Sequence, residues 1–153
     1  MEKINIELVT EITTWKPSQS LNISVLINGK EVWQDKEYKI NQDIELKDVE
    51  VEDGVENTLE LVIDGMKSDY TLVGENGVLL KDVMFHVKNV FLDDIDLGSV
   101  FQHVCEYYPT FPEGWEPDNE EDRCMPGTVD LGWNGRWVFK FESPVYLWML
   151  ENF

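Results

Sequence analysis

The chain has 153 residues, 42% hydrophobic and 12% aromatic, with 31 acidic against 12 basic residues and a formal net charge of −19. That length fits one domain (residues 1–153) with room for a substantial core, and the apolar share excludes a disordered polyelectrolyte. The charge argues against nucleic acid and anionic membrane as partners, because phosphate is bound by clustered Lys and Arg. No apolar run approaches the roughly 20 residues that cross a bilayer. Solubility is the simplest reason for the acidity, with cation binding at some carboxylates as the alternative. Met1–Glu7 shows no charged-then-apolar leader, so the expected place of synthesis is the cytosol.

In chain order, Lys3–Val9 alternates with Ile4, Ile6 and Leu8 on one face, the mark of a half-buried strand. Leu21, Ile23, Val25 and Ile27 repeat the pattern, and Asn28-Gly29 then separates them from Lys30–Gln34. Asn-Gly between two apolar-bearing arms predicts a type I′ hairpin, since both turn positions need positive φ. Further strands are expected at Asp43–Val49, Asn57–Ile63, Asp69–Val73 and Val78–Leu80, with Glu75-Asn76-Gly77 as a turn. Val83–Leu92 is the longest, with Val83, Phe85, Val87 and Phe91 facing inward and Met84, His86 and Lys88 outward.

Helical signals are few. Gly98–Val104 fits two turns capped by Asp96, and Pro144–Asn152 fits a terminal helix with Val145, Trp148 and Met149 on one face. Between Cys105 and Thr128 runs a long irregular segment (105–128) with prolines at 109, 112, 117 and 126, which excludes regular sheet for most of it. Segments this long in a compact domain are functional or disordered, and its aromatics argue for order. Cys105 and Cys124 bracket it; without Cys-x-x-Cys spacing or a leader, free thiols are the expectation. A second hairpin is expected at Asn134-Gly135, folding Thr128–Trp133 onto Arg136–Glu142, with Trp137, Phe139 and Phe141 inward. The pattern as a whole predicts an all-β, jelly-roll-like β-sandwich with a long Pro/aromatic loop and a short C-terminal helix.

Tyr107, Tyr108, Trp115 and Trp133 could stack on sugar rings; the competing reading is that they pack the loop onto the sheet. Asp93, Asp94 and Asp96 have the close spacing of oxygen ligands for calcium, against the plainer reading of a solvated turn. His86 and His103 have no triad-like spacing, and phosphate-loop, metalloprotease and nucleophile-elbow motifs are absent, so no enzyme is expected. Arg136 and Lys140 form a basic spot suited to acidic groups of an identical neighbour.

The segments Leu59–Leu97 and Tyr107–Leu150 resemble a family of small tailed-phage proteins of marine and cyanobacterial phages. The residues that carry the likeness are Asp93-Asp94-Ile95-Asp96-Leu97-Gly98, Tyr108-Pro109 with Phe111-Pro112 and Trp115, and Leu131-Gly132-Trp133-Asn134-Gly135 with Trp137, Phe141-Glu142-Ser143-Pro144 and Tyr146-Leu147-Trp148. More distantly, the strand pattern is similar to that of calcium-dependent xylan-binding modules, whose Asn-Asp and Asp-Arg-Asn ligand motif is not present here. The resemblance implies a virion-associated structural or accessory protein, a capsid decoration or tail component assembled in the host cytoplasm. It would act non-enzymatically through contacts with other virion proteins or with itself. The alternative is a carbohydrate-binding module that takes a glycan with or without calcium; no other cofactor is implied.

Overall fold

The structure is a computed structural model that describes residues 1–111 and 113–153. In chain order the strands are β1 (Glu2–Thr13), β2 (Leu21–Ile27), β3 (Lys30–Tyr38), β4 (Gln42–Val51), β5 (Glu56–Asp64), β6 (Leu72–Val73) and β7 (Leu79–Lys81). They continue with β8 (Met84–Leu92), β9 (Ile95–Asp96), β10 (Cys105–Pro109), β11 (Met125–Pro126), β12 (Asp130–Leu131) and β13 (Gly135–Glu142), followed by helix α1 (Val145–Asn152). One sheet has the order β12-β8-β1-β4 with β9 added to β8, and the other runs β11-β10-β13-β5-β2-β3. β6 and β7 form a separate hairpin. Strands hold 54% of the residues, in an all-β, jelly-roll-like sandwich.

Alternation explains which side chains meet between the sheets. Ile4, Ile6, Leu8, Ile44, Phe85 and Val87 from one sheet face Ile23, Val25, Leu59, Leu61, Trp137 and Phe139 from the other, all buried in one core. Each such side chain stabilises the fold by about 1.5–3 kcal/mol. Trp148 of α1 closes one end, its ring edge-on to Phe139 at 5.9 Å and to Phe141 at 6.3 Å between centroids. The Glu2 carboxylate accepts from the Ser143 hydroxyl at 2.6 Å and the Val145 amide at 3.1 Å. An anion thus sits where the amides that start α1 point.

The Asn28-Gly29 hairpin forms as expected, with φ of 50° and 83°. Four expectations are corrected. Asn134-Gly135 is no hairpin: β12 pairs with β8 in one sheet, while β13 pairs with β10 and β5 in the other. The Asn134 side chain instead binds the Met66 backbone, accepting from its amide at 2.8 Å and donating to its carbonyl at 3.1 Å. The dipeptide is a crossover between sheets.

Phe91 does not face the core; Val90 and Leu92 do. The β1–β8 register passes from Val9↔Asn89 to Thr10↔Val87, and the extra residue flips every side chain beyond it. Asp69–Val73 is not one strand, because Ser68–Tyr70 forms a 3-10 turn with Tyr70 buried before β6 begins. Gly98–Val104 is also 3-10, and Asp96 serves its start by accepting the Gly98 amide at 2.7 Å. The irregular segment begins later than expected: its first five residues are β10, paired with β13. Pro112 lies outside the described residues.

Candidate functional site

The four aromatic candidates do not share a surface. Tyr107 and Tyr108 are neighbours on β10 and must point to opposite faces. Tyr107 points inward, is 3% exposed, and its hydroxyl donates to the Trp133 carbonyl; burial pushes its phenol up to about 12. Trp133 is partly buried against the core. Tyr108 points outward, its hydroxyl donating to the Glu106 carboxylate, with the Arg136 guanidinium 5.3 Å from its ring centroid. Trp115, 76% exposed, is the one of the four with a free face.

The basic spot is spent within the chain. Arg136 lies 3.4 Å from Glu60 and Lys140 3.8 Å from Glu56, both between the adjacent strands β13 and β5. Glu106 also accepts from the Cys124 thiol at 3.3 Å. The Tyr108 and Cys124 donors together hold its carboxyl below the usual carboxylate range. Both cysteines are free. Cys105 is buried in the core, whereas Cys124 reaches the same carboxylate as the outward-facing Tyr108.

Asp93 and Asp94, with φ of 49° and 65°, form the two-residue turn between β8 and β9. Asp93 accepts from the Asn5 amide at 2.8 Å, and Asp96 accepts from Asn89 and Gly98, each at 2.7 Å. Asp94 lines a small cleft with Glu7, Glu45 and Lys47. Burial, then the charges of Asp43, Glu45 and Asp94, push the Glu7 carboxyl above its ordinary range. Among the described residues no three acidic, histidine or cysteine side chains converge to hold a metal ion. Asp93 and Asp96 instead spend carboxylate oxygens on the Asn5 amide and on Asn89 and the Gly98 amide.

The structure also joins residues that no spacing marked. His86 of β8 lies 2.7 Å from the Thr13 hydroxyl through Nε2 and 2.7 Å from the Asp130 carboxylate through Nδ1. The line has the order of a hydroxyl–imidazole–carboxylate triad. Thr13 sits on the exposed end of a strand, and none of the three lines the clefts described here. The line ties β1, β8 and β12 together.

A roomier cleft lies elsewhere. β3 ends one sheet and β4 ends the other, so the sandwich mouth stands open between them. The cleft there has a volume of about 600 Å³ and is walled by Trp33, Ile27, Asn28, Lys30 and Val32 on one side and by Glu45, Leu46, Lys47, Val49 and Glu50 on the other. Trp33 stands opposite the inward-facing Val25 and packs on the core while staying partly exposed. The Asn28 wall is fixed: its carboxamide oxygen accepts the Thr58 amide at 2.8 Å and its nitrogen donates to Asn57 at 2.9 Å. On the other wall Asp48, with φ of 52°, sits where the β1–β4 register shifts. The signal for this site was present in the sequence as a tryptophan at an inward position of a lysine-bearing edge strand. Local pattern alone marks that strand as the second arm of a hairpin.

This arrangement offers an aromatic face, carboxylates that accept and ammonium groups that donate. No family model matches the chain, and no curated protein matches it. The chain is similar in outline to two solved structures of the calcium-dependent carbohydrate-binding module vCBM60. The first, a selenomethionine form, has a TM-score of 0.48 at 10% identity and covers 89% of each chain. The second, in complex with galactobiose, has a TM-score of 0.46 at 10% identity and covers 88% of this chain and 96% of that one.

Proposed function

We propose that this chain is a non-catalytic binding module that holds a neutral oligosaccharide in the cleft between β3 and β4. The observation that carries this reading is the placement of Trp33 on the wall of that cleft beside groups of both signs, Lys30 and Lys47 with Glu45 and Glu50. A pyranose ring lays its C–H face on an indole while its hydroxyls donate to carboxylates and accept from ammonium groups. The lining carries Glu45, Asp48, Glu50 and Glu52 against Lys30 and Lys47, which disfavours an anionic ligand. The cleft volume lies within the range of small-ligand sites. A glycan array, followed by calorimetry with galactobiose as first probe, tests this with and without chelator. Binding lost in Trp33→Ala and kept in Trp115→Ala supports the cleft; an empty array rejects the carbohydrate reading.

A second reading is a virion-associated phage accessory protein, made in the host cytoplasm, that works by protein–protein assembly. It is favoured by apolar side chains left facing solvent on α1, where Tyr146, Leu147 and Leu150 are exposed. A helix apolar on all sides is normally covered. Mass spectrometry of purified particles tests this reading, and absence of the chain from them rejects it. The two readings are compatible, since a module carried on a particle can bind glycan through a different surface.

A further inference from the structure

We propose that the outer face of α1 is covered by the β6–β7 hairpin of a second copy of this chain, so that copies stack head to tail. The inference rests on the assembly reading for the idea that the chain works through protein contact. Its geometry comes from two apolar patches at opposite ends of the sandwich. At one end, Val145, Trp148 and Met149 of α1 are buried, leaving Tyr146, Leu147, Leu150 and Phe153 exposed. At the other, the β6–β7 hairpin exposes Leu72, Val73, Val78, Leu79 and Leu80.

The ladder fixes these as opposite ends. Glu56 pairs with Glu142 just before α1, and β5 then runs to Ile63 opposite Gly135 before the chain enters the hairpin. At about 3.3 Å per residue the two patches stand roughly 25 Å apart, so neither can cover the other within one molecule. Two different patches facing opposite ways along one axis make a heterologous contact, which repeats as a ring or a filament.

Charge selects this pairing over helix against helix. Around α1 lie Glu56, Glu142 and Glu151, with Lys140 already paired to Glu56. Two such ends would repel on a chain of net charge −19. The hairpin end carries Lys16 and Lys81, whose ammonium groups lie 4.9 and 5.6 Å from the centroid of the Trp15 ring, and Lys67, 6.0 Å from that of Tyr70. Asp69 and Glu75 are also exposed there, while the Asp82 carboxylate is occupied by the Thr71 hydroxyl and the Val83 amide. Among the described residues none of these lysines is in an ion pair, so their ammonium groups can meet the glutamates around a neighbour's helix. At physiological salt the Debye length is about 8 Å, so such contact pairs act while the repulsion between whole copies is screened.

Sedimentation over a concentration series tests the contact, with circular dichroism confirming that each variant is folded. The wild-type chain is expected to form species larger than a dimer. Leu150→Glu and Leu79→Glu, both at exposed positions, should each weaken self-association roughly tenfold or more by placing a charge in an apolar contact. An equimolar mixture of the two variants should stop at a dimer, because one retains a working hairpin and the other a working helix face. A wild-type chain that stays monomeric at every concentration overturns the proposal even if the chain is found in particles. A dimer that survives Leu79→Glu also overturns it, by showing a symmetric helix contact. Absence from particles rejects the virion reading alone and leaves sedimentation to decide the contact.

Discussion

The Tyr107 hydroxyl donates its hydrogen bond to the carbonyl of Trp133, and so joins a strand of one sheet to the segment that crosses between sheets. An aromatic side chain that looks like a binding platform in the sequence is here a structural tie. Tyr107→Phe keeps the ring and leaves that carbonyl without its short partner. A loss of about 0.5–1.5 kcal/mol is expected, read from urea unfolding, with glycan binding unchanged. In the wild-type chain the same phenol should ionise late in an ultraviolet titration, because burial raises it to about 12.

Gly135 begins β13 where the backbone of β10 passes close by. A Cβ at this position would lie 2.5 Å from the Tyr108 oxygen and 2.8 Å from the Pro109 Cα. Both are backbone atoms of a paired strand, so the ladder itself must move. Gly135→Ala is expected to cost about 1–3 kcal/mol or more, visible as a lowered midpoint in denaturant. Gly29→Ala is the contrasting case, with open space around the Cβ and the cost confined to its φ of 83°.

This pair of glycines shows how far the sequence could be read. Asn28-Gly29 and Asn134-Gly135 are the same dipeptide between apolar segments, and local chemistry predicts a hairpin for both. The first has two strands of one sheet to join. The second is overruled by the Met66 backbone, which occupies the Asn134 carboxamide from 68 positions away. Strand positions and the aromatic face of β13 were legible because alternation is local. The outward turn of Phe91 was not, because a bulge between distant partners decides it. The site followed the same division. Trp115 drew attention through its neighbours in sequence, whereas the Trp33 cleft exists because β3 and β4 happen to end different sheets.

Two carboxylates should give opposite pH dependences. Hydrogen bonds from Tyr108 and then Cys124 hold Glu106 below its usual range. Its contribution to stability is therefore present above the unfolded value of about 4.3 and is lost as pH falls through the lower folded value. Glu7 is pushed the other way, by burial and by Asp43, Glu45 and Asp94. Its folded form binds the proton more tightly, so its contribution is present at low pH and lost as pH rises through the folded value. Glu106→Gln should destabilise at pH 7 by an amount that fades toward pH 3, whereas Glu7→Gln should stabilise at pH 7 and approach neutrality at pH 3. Urea unfolding of each variant against wild type at both pH values checks the signs, and equal slopes for the two would contradict the assignment.

Asn57 connects the core to the proposed cleft. It is fully buried, and its carboxamide oxygen accepts from Asn28 at 2.9 Å and from the Glu52 amide at 2.9 Å. Its nitrogen donates to the Glu52 carbonyl at 3.0 Å and to the Val55 carbonyl at 3.2 Å. One side chain thus closes the β4–β5 turn and steadies the Asn28 wall of the cleft. Removing it in Asn57→Ala leaves the Glu52 and Val55 backbone groups without this partner, at about 1–3 kcal/mol for each that water does not reach. Asn28→Ala takes away the cleft-side partner while the β4–β5 turn keeps its bonds, so it should cost less stability. If the cleft is the binding site, Asn28→Ala should still weaken glycan binding in the folded protein. Calorimetry on Asn28→Ala, set beside the unfolding curves of both variants, separates the two roles, and a glycan affinity unchanged in that variant would count against the Asn28 wall.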